Sequence, residues 1–176
     1  MSEKNAHDRA LQAFELDDIF IVELTCKIAR DFNQAGSLPE VGMQHRFEPE
    51  NSGLIQTRQE MPSGKEVMIF RYYVDGNVRV LIPDVPANKT DVASEDLLAE
   101  IAGVIAVDYR TNRDLREDVE AIGAFGANVV FHAWPYWRAA VLCRAAELRL
   151  PRIVLPMMRQ PRIKPQESQV STTAQT

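Results

Sequence analysis

Apolar and polar residues alternate along much of the chain, with the period of a β-strand that buries one face. The first alternating stretch runs from Phe14 to Ile28, where the even-numbered positions are apolar apart from Asp18. The second runs from Val41 to Phe47 and is bounded by Pro39 and Pro49. Because proline ends or edges a strand, these bounds support a separate short strand. We expect both stretches to be half-buried strands.

Two further stretches alternate in the same way. Residues 70–82 keep one parity through Asp75-Gly76, a dipeptide typical of tight hairpin turns. They fit either a hairpin at that point or one long strand kinked at Gly76, and the unbroken parity favours the long strand. Residues 94–96 could begin a helix, but Leu98 to Arg110 alternates through β-branched residues, so we predict a fourth strand there.

Apolar residues recur at helical spacing after the fourth strand. Asp114 and Glu117 form a capping-box pattern for a helix over 115–125, which Gly126 can end. Asn128 can cap a last helix with an apolar stripe, whose members are Trp134, Trp137, Val141, Ala145 and Leu148. Strands followed by helices predict an α+β fold, with a four-stranded antiparallel sheet and two helices packed on one face.

The length of 176 residues and the 45% apolar content predict one domain, over residues 13–160. The charged residues 1–12 are predicted to be a mobile leader, and the polar, proline-punctuated residues 161–176 a disordered tail. The start of the chain has no apolar signal region, and no apolar run is long enough to span a bilayer. We therefore expect a cytoplasmic protein without membrane insertion.

Charge is distributed unevenly around the formal net value of −5. Residues 1–143 carry 14 basic and 23 acidic side chains, whereas residues 144–164 carry six basic and one acidic. An acidic body repels phosphate backbones, so we expect no nucleic-acid partner. The basic stretch fits a solvated helix end, where cations are favourable near the negative pole of the helix.

The chain offers no evident constellation of catalytic or metal-binding residues. His7, His45 and His132 share no ligand or triad spacing, and the eight glycines form no phosphate-binding loop. We expect no enzyme, with no catalytic residue, metal or cofactor. Cys26 and Cys143 are too few for a disulfide framework, and we predict them to be buried small hydrophobic residues.

Aromatic residues are concentrated in one segment of a chain that is only 7% aromatic. Four of them fall within seven positions, and these are Phe131, Trp134, Tyr136 and Trp137. One helix face cannot bury all four, so the excess predicts an apolar groove or a subunit interface. The alternative is a contact between the helix and the sheet within the core.

Residues 124–138 and 150–156 resemble the C-terminal core of the SecB-type export chaperones. That family carries an aromatic-Pro-Tyr element at its long helix, a Leu-Pro or Phe-Pro after it, and an apolar-Pro segment beyond. Here residues 134–136 are Trp-Pro-Tyr and residues 150–151 are Leu-Pro. The order of elements is similar over about residues 14–158.

The resemblance implies a homotetramer, built as a dimer of dimers, that holds unfolded polypeptides without ATP. It places a client-binding groove on or in front of Phe131, Trp134, Tyr136 and Trp137. Ala99, Ile101 and Gly103 suit flat packing between dimers, and a core role is the alternative for each of these residues. We hypothesise that Trp134→Ala lowers client binding with little loss of stability.

The C-terminal tail departs from the family pattern, in which an acidic, metal-binding tail docks the translocase motor. Here the tail is basic, is interrupted by prolines, and lacks Cys and His. A divergent SecB-like protein is therefore indicated. Its function is either a holdase that keeps polypeptides unaggregated and competent for export, or a dedicated chaperone of an antitoxin in a toxin–antitoxin–chaperone system. A small enzyme or ligand-binding protein would instead need a closed pocket.

Overall fold

A computed structural model describes residues 3–29, 32, 41–49, 55–60, 64, 66–83, 85–86, 88–89, 91–111, 113, 115 and 118–158. The elements in chain order are α1 (Glu3–Ala13), β1 (Glu15–Ile28), β2 (Gly42–Pro49), β3 (Ile55–Glu60), β4 (Glu66–Leu81), β5 (Leu97–Thr111), α2 (Val119–Ala124) and α3 (Gly126–Glu147). A single 3-10 turn, Ser94–Asp96, precedes β5. No helix in these ranges is long and apolar enough to cross a membrane.

The strands form one antiparallel sheet in the order β1-β5-β4-β2, and β3 pairs with the first half of β4. The sheet is thus four positions wide, and two short strands share the position beside β4. The predicted α+β fold is confirmed, with five strands instead of four. The alternation rule missed β3 because nearly every residue of 55–60, Ile-Gln-Thr-Arg-Gln-Glu, is polar.

The long-strand interpretation of residues 70–82 is confirmed, because β4 continues through Asp75 and Gly76. Gly76 has a strand on each side, since it lies opposite Phe47 of β2 and opposite Gly103 of β5. A hairpin turn cannot be paired on both sides in this way. The alternating burial along β4 places its even-numbered side chains in the core beneath the helices.

The parity of β1 is broken by two β-bulges, between Leu16 and Asp18 and between Ile21 and Glu23. Phe20 therefore lies opposite Ala106 on the face away from the helices, instead of facing inward as the even-position rule predicts. Its ring lies 4.8 Å beneath the guanidinium of Arg71, a cation–π contact.

The predicted mobile leader is largely helical. In α1, Ala6 and Ala10 are buried. Arg9 donates to both carboxylate oxygens of Asp118 at 2.9 and 2.8 Å, and Asp118 in turn caps α2 by accepting from the N–H of Ala121. These contacts tie α1 to α2, so residues 3–12, for which the sequence predicts a mobile leader, form a helix that packs on the rest of the chain. The hydrophobic pattern gave no sign of it, because alanine supplies the buried positions.

Three smaller predictions concern a helix cap, the C-terminal tail and the two cysteines. The capping pair Asp114 and Glu117, and the tail 161–176, lie outside the described residues; α2 begins at Val119. Cys26 and Cys143 are exposed, so their predicted burial is wrong. The reason is that β1 is an edge strand and Cys143 lies on the exposed side of α3.

Candidate functional site

Trp137 of α3 lies over two glycines in the middle of the sheet. Gly76 and Gly103 are directly opposite one another. A Cβ added at Gly76 would lie 2.6 Å from the indole Cε2, and one at Gly103 would lie 3.3 Å from Cζ3. A side chain at Gly76 would therefore overlap the indole, whereas one at Gly103 would first meet the backbone oxygen of Glu23 at 2.6 Å. Trp137 is only 1% exposed. We call this arrangement the glycine seat.

Phe47 of β2 joins the glycine seat to the surface. Its ring stacks on Trp137, with centroids 5.9 Å apart and an interplanar angle of 18°, and meets Trp134 edge-on at 5.1 Å. The indole Nε1 of Trp134 donates to the carbonyl of Pro156 at 3.1 Å. Three aromatic side chains thereby fix β2, α3 and the segment after α3 in one rigid body.

A surface groove of about 330 Å³ lies beside this aromatic group. All of its lining residues are apolar, and they come from the end of β2, the first turns of α3 and the segment after α3. The lining consists of Phe47, Pro49, Gly126, Ala127, Val130, Phe131 and Met158. We call it the apolar groove.

The structure separates the four aromatic residues singled out in the sequence. Phe131 lines the apolar groove. Trp134 and Trp137 are 5% and 1% exposed and lie behind it, against Phe47. Tyr136 is 48% exposed and lies outside the groove lining. Sequence reasoning missed the contribution of Phe47, although its inward parity in β2 was a signal that it packs under a helix.

The residues assigned to a contact between dimers lie inside the core of one chain. Ala99 and Ile101 are each 1% exposed and belong to the cluster beneath the helices, and Gly103 lies under Trp137. This burial corresponds to the core role that the sequence left open for each residue, and their contact between dimers stays a prediction. Odd-numbered residues of β5 turn toward the helices.

One polar pair lies next to Phe131 in α3, while the indole Nε1 of Trp137 is buried without a hydrogen-bond partner among the described residues. The hydroxyl of Tyr109 and Nδ1 of His132 form a hydrogen bond of 2.7 Å. Burial lowers the pKa of His132 and raises the pKa of Tyr109, so both stay neutral at pH 7. No group of three or more His, Cys, Asp and Glu suited to a metal occurs among the described residues. The lining of the groove offers apolar contact.

We expect stability to fall on acidification because of His132. Its pKa is lowered in the folded state, so between that lowered value and about 6.5 the unfolded chain binds more protons than the folded chain. The contribution is present above about pH 6.5 and is lost as the pH falls through the folded pKa. Thermal unfolding between pH 7.5 and 5.5 measures this, and His132→Gln should flatten the dependence. Identical pH profiles for the two proteins would contradict it.

Comparison with known proteins identifies the fold. No family model matches the chain, and no curated protein matches it. Among solved structures, it is similar to the Mycobacterium tuberculosis Rv1957 SecB-like chaperone, in complex with a ChAD peptide from the Rv1956 HigA1 antitoxin. The TM-score is 0.58 at 17% identity, covering 90% of this chain and 100% of that chain. The chain therefore has the fold of a SecB-like chaperone, as its resemblance implied.

Proposed function

We propose that this protein is an ATP-independent holdase of the SecB-like type, which binds apolar segments of unfolded polypeptides in the apolar groove. The observation that carries the proposal is an open groove with a wholly apolar lining, beside a fixed aromatic group. Apolar surface exposed in this way usually marks a binding site. The likeness of the fold to a chaperone bound to a peptide supports the same function.

The chemistry of the groove favours a broad range of clients. Burial of apolar area contributes roughly 25 cal/mol per Å² and does not depend on sequence. A groove of about 330 Å³ takes one or two large apolar side chains. Met158 at the rim has a flexible thioether side chain that adapts to different shapes. Such a site retains unfolded chains through weak contacts that are easily released.

A dedicated antitoxin chaperone is the second candidate. The similar solved structure holds a peptide from an antitoxin, and that observation favours this role over export. The same groove would serve either role, including delivery to a translocase motor, so client breadth distinguishes them. Protection of several unrelated unfolded proteins would support the general holdase, and protection of a single antitoxin would support the second candidate.

The proposal includes self-association in the cytoplasm as a dimer of dimers. Its support is the exposed apolar surface of the edge strand β1, where Leu16, Ile21 and Val22 are 42%, 42% and 52% exposed. Long exposed strand edges with apolar side chains tend to acquire a partner. Light scattering coupled to size exclusion tests this, and a monomer mass at micromolar concentration would contradict it.

The function is tested by aggregation of a chemically unfolded model protein, followed by light scattering without nucleotide. We expect the wild type to suppress aggregation in proportion to its concentration. Phe131→Asp should lose most of this protection, because binding an apolar segment in the groove would then bury an unpaired carboxylate. Phe131 is only partly buried, so the fold should remain intact.

The matched control is Val119→Asp, which adds the same charge at a side chain that is 71% exposed and lies outside the groove lining. It should protect as well as the wild type, and circular dichroism should show equal melting temperatures for wild type and control. Absence of protection by the wild type at every ratio, or equal protection by both variants, would contradict the proposed function.

A further inference from the structure

A second, larger cavity lies along the same strand as the apolar groove. Its volume is about 670 Å³, and it is formed by the first half of β2, the end of β4 and the loop after β4. We call it the basic cavity, because its lining holds three cations and no carboxylate. Its polar side chains include Arg46, Arg79, Lys89, Gln44, Asn77 and Asn88.

Two of the three cations are already neutralised by carboxylates behind the cavity. Arg79 pairs with Glu100 at 3.0 Å, and Lys89 pairs with Asp96 at 2.9 Å.

Arg46 is exposed and has no ion pair within the described part of the chain. On the side of the basic cavity this exposed guanidinium adjoins the amides of Gln44 and Asn77, whereas Glu23 and Asp75 line a separate, smaller cavity on its other side. A guanidinium that is not ion-paired favours a carboxylate.

β2 connects the basic cavity to the apolar groove. It is an edge strand of the sheet, and no strand in the described ranges pairs with its outer side. The register with β4 places His45 and Phe47 on the helix side, opposite Val78 and Gly76, and Arg46 on the other face. One short stretch of strand edge therefore presents apolar contacts on one face and a free cation on the other.

We propose that clients bind as an extended strand added to the edge of β2, with a carboxylate facing Arg46 between two apolar side chains that face α3. The inference rests on the proposed function and specifies the chemistry of the client. An added strand turns its side chains to the same faces as the residues opposite it. The two client residues opposite Phe47 and His45 therefore point toward α3, and the client residue between them lies on the same face as Arg46.

Charge on the neighbouring row of β2 disfavours one shift of the client strand. Glu48 lies next to Arg46 on the same face of β2, and directly opposite Glu48 is Asp75 of β4. A client carboxylate shifted by two residues would meet these like charges, which is unfavourable. A shift toward Glu48 is therefore disfavoured, whereas a shift the other way meets Gln44 and Arg79, which lie opposite one another on the same face and carry no negative charge.

The test uses three labelled peptides with the central sequence Phe-X-Ile between Gly-Ser flanks, where X is Glu, Gln or Lys. Fluorescence anisotropy with the full-length protein measures each Kd. We expect the Glu peptide to bind about two- to five-fold more tightly than the Gln peptide, which is the range of an exposed ion pair, and the Lys peptide to bind most weakly.

Substitutions at Arg46 identify the cation. Arg46→Ala should make the Kd values of the Glu and Gln peptides equal, and Arg46→Glu should make the Lys peptide bind most tightly. Arg113→Ala is the matched control, since Arg113 is exposed and lies beyond the far end of β5. It should retain the preference for Glu.

Backbone methylation tests strand addition separately. Successive residues of a strand direct their N–H groups to opposite sides, so N-methylation of X and N-methylation of Phe and Ile should differ sharply in effect. Equal effects of the two methylated peptides, or an unchanged preference for Glu in Arg46→Ala, would overturn this inference while leaving the proposed function intact. Failure of all three peptides to bind the wild type would overturn both.

Discussion

Gly76→Val should lower the free energy of unfolding by about 3 kcal/mol or more. That value is the upper end of the usual cost of forcing extra atoms into a packed core. The added side chain enters space that the Trp137 indole fills, since even a Cβ lies 2.6 Å from the ring. The neighbouring strands hold β4 on both sides, so the backbone cannot move away. Urea denaturation followed by tryptophan fluorescence measures the loss.

Two further variants test this explanation. Gly123→Ala is the control, because a Cβ there meets nothing within 4 Å, and it should be neutral or stabilising by up to about 1 kcal/mol. Trp137→Leu combined with Gly76→Val should destabilise less than the two single effects added together, because the smaller side chain vacates the seat. Simple additivity of the two substitutions would contradict the glycine seat.

Trp134→Ala should lower the free energy of unfolding by about 3–5 kcal/mol, as expected for a buried aromatic residue. The side chain is 5% exposed, packs on Phe47 and donates to the carbonyl of Pro156. The structure thus reverses the hypothesis that this residue can be removed with little loss of stability. Chemical denaturation is again the measurement, and a stable variant with weak client binding would restore the original hypothesis.

Trp134→Phe separates the hydrogen bond from the packing. It keeps most of the aromatic area but removes the donor, so it should cost only about 0.5–1.5 kcal/mol. Hydrogen exchange should become faster in residues 153–158, which the bond to Pro156 holds against α3. Unchanged exchange in this segment would show that packing alone retains it.

Local pattern predicted the centre of the sheet well. In β4 and in the first half of β5, buried residues occur at every second position, so the hydrophobic period follows the pleat directly. The pattern failed at the margins for physical reasons. β3 pairs through its backbone with few apolar side chains, and the bulges of β1 reverse the parity that the rule assumes.

The candidate site depends on register and on the packing of distant segments. Phe47 and Phe131 line one groove from distant parts of the chain, and no periodicity in either segment indicates the other. The sequence marks Gly76 as a kink, but the reason for a glycine is an indole from α3. That reason emerges only when Gly76 and Gly103 are known to lie opposite one another. The aromatic excess near α3 indicated a groove without indicating which rings would stay exposed.

The residues that line the apolar groove differ in flexibility, because the glycine seat fixes only some of them. Phe47 is held between two tryptophans, one of them fixed against bare backbone, so this wall loses little conformational entropy when a client binds. Met158, which also lines the groove, is partly buried but has a flexible thioether side chain that can adapt to different clients. Affinity for clients then comes from the fixed ring of Phe47, and the ability to accept different client side chains comes from the flexible Met158. A single groove can therefore accept unlike sequences without the fold itself having to deform.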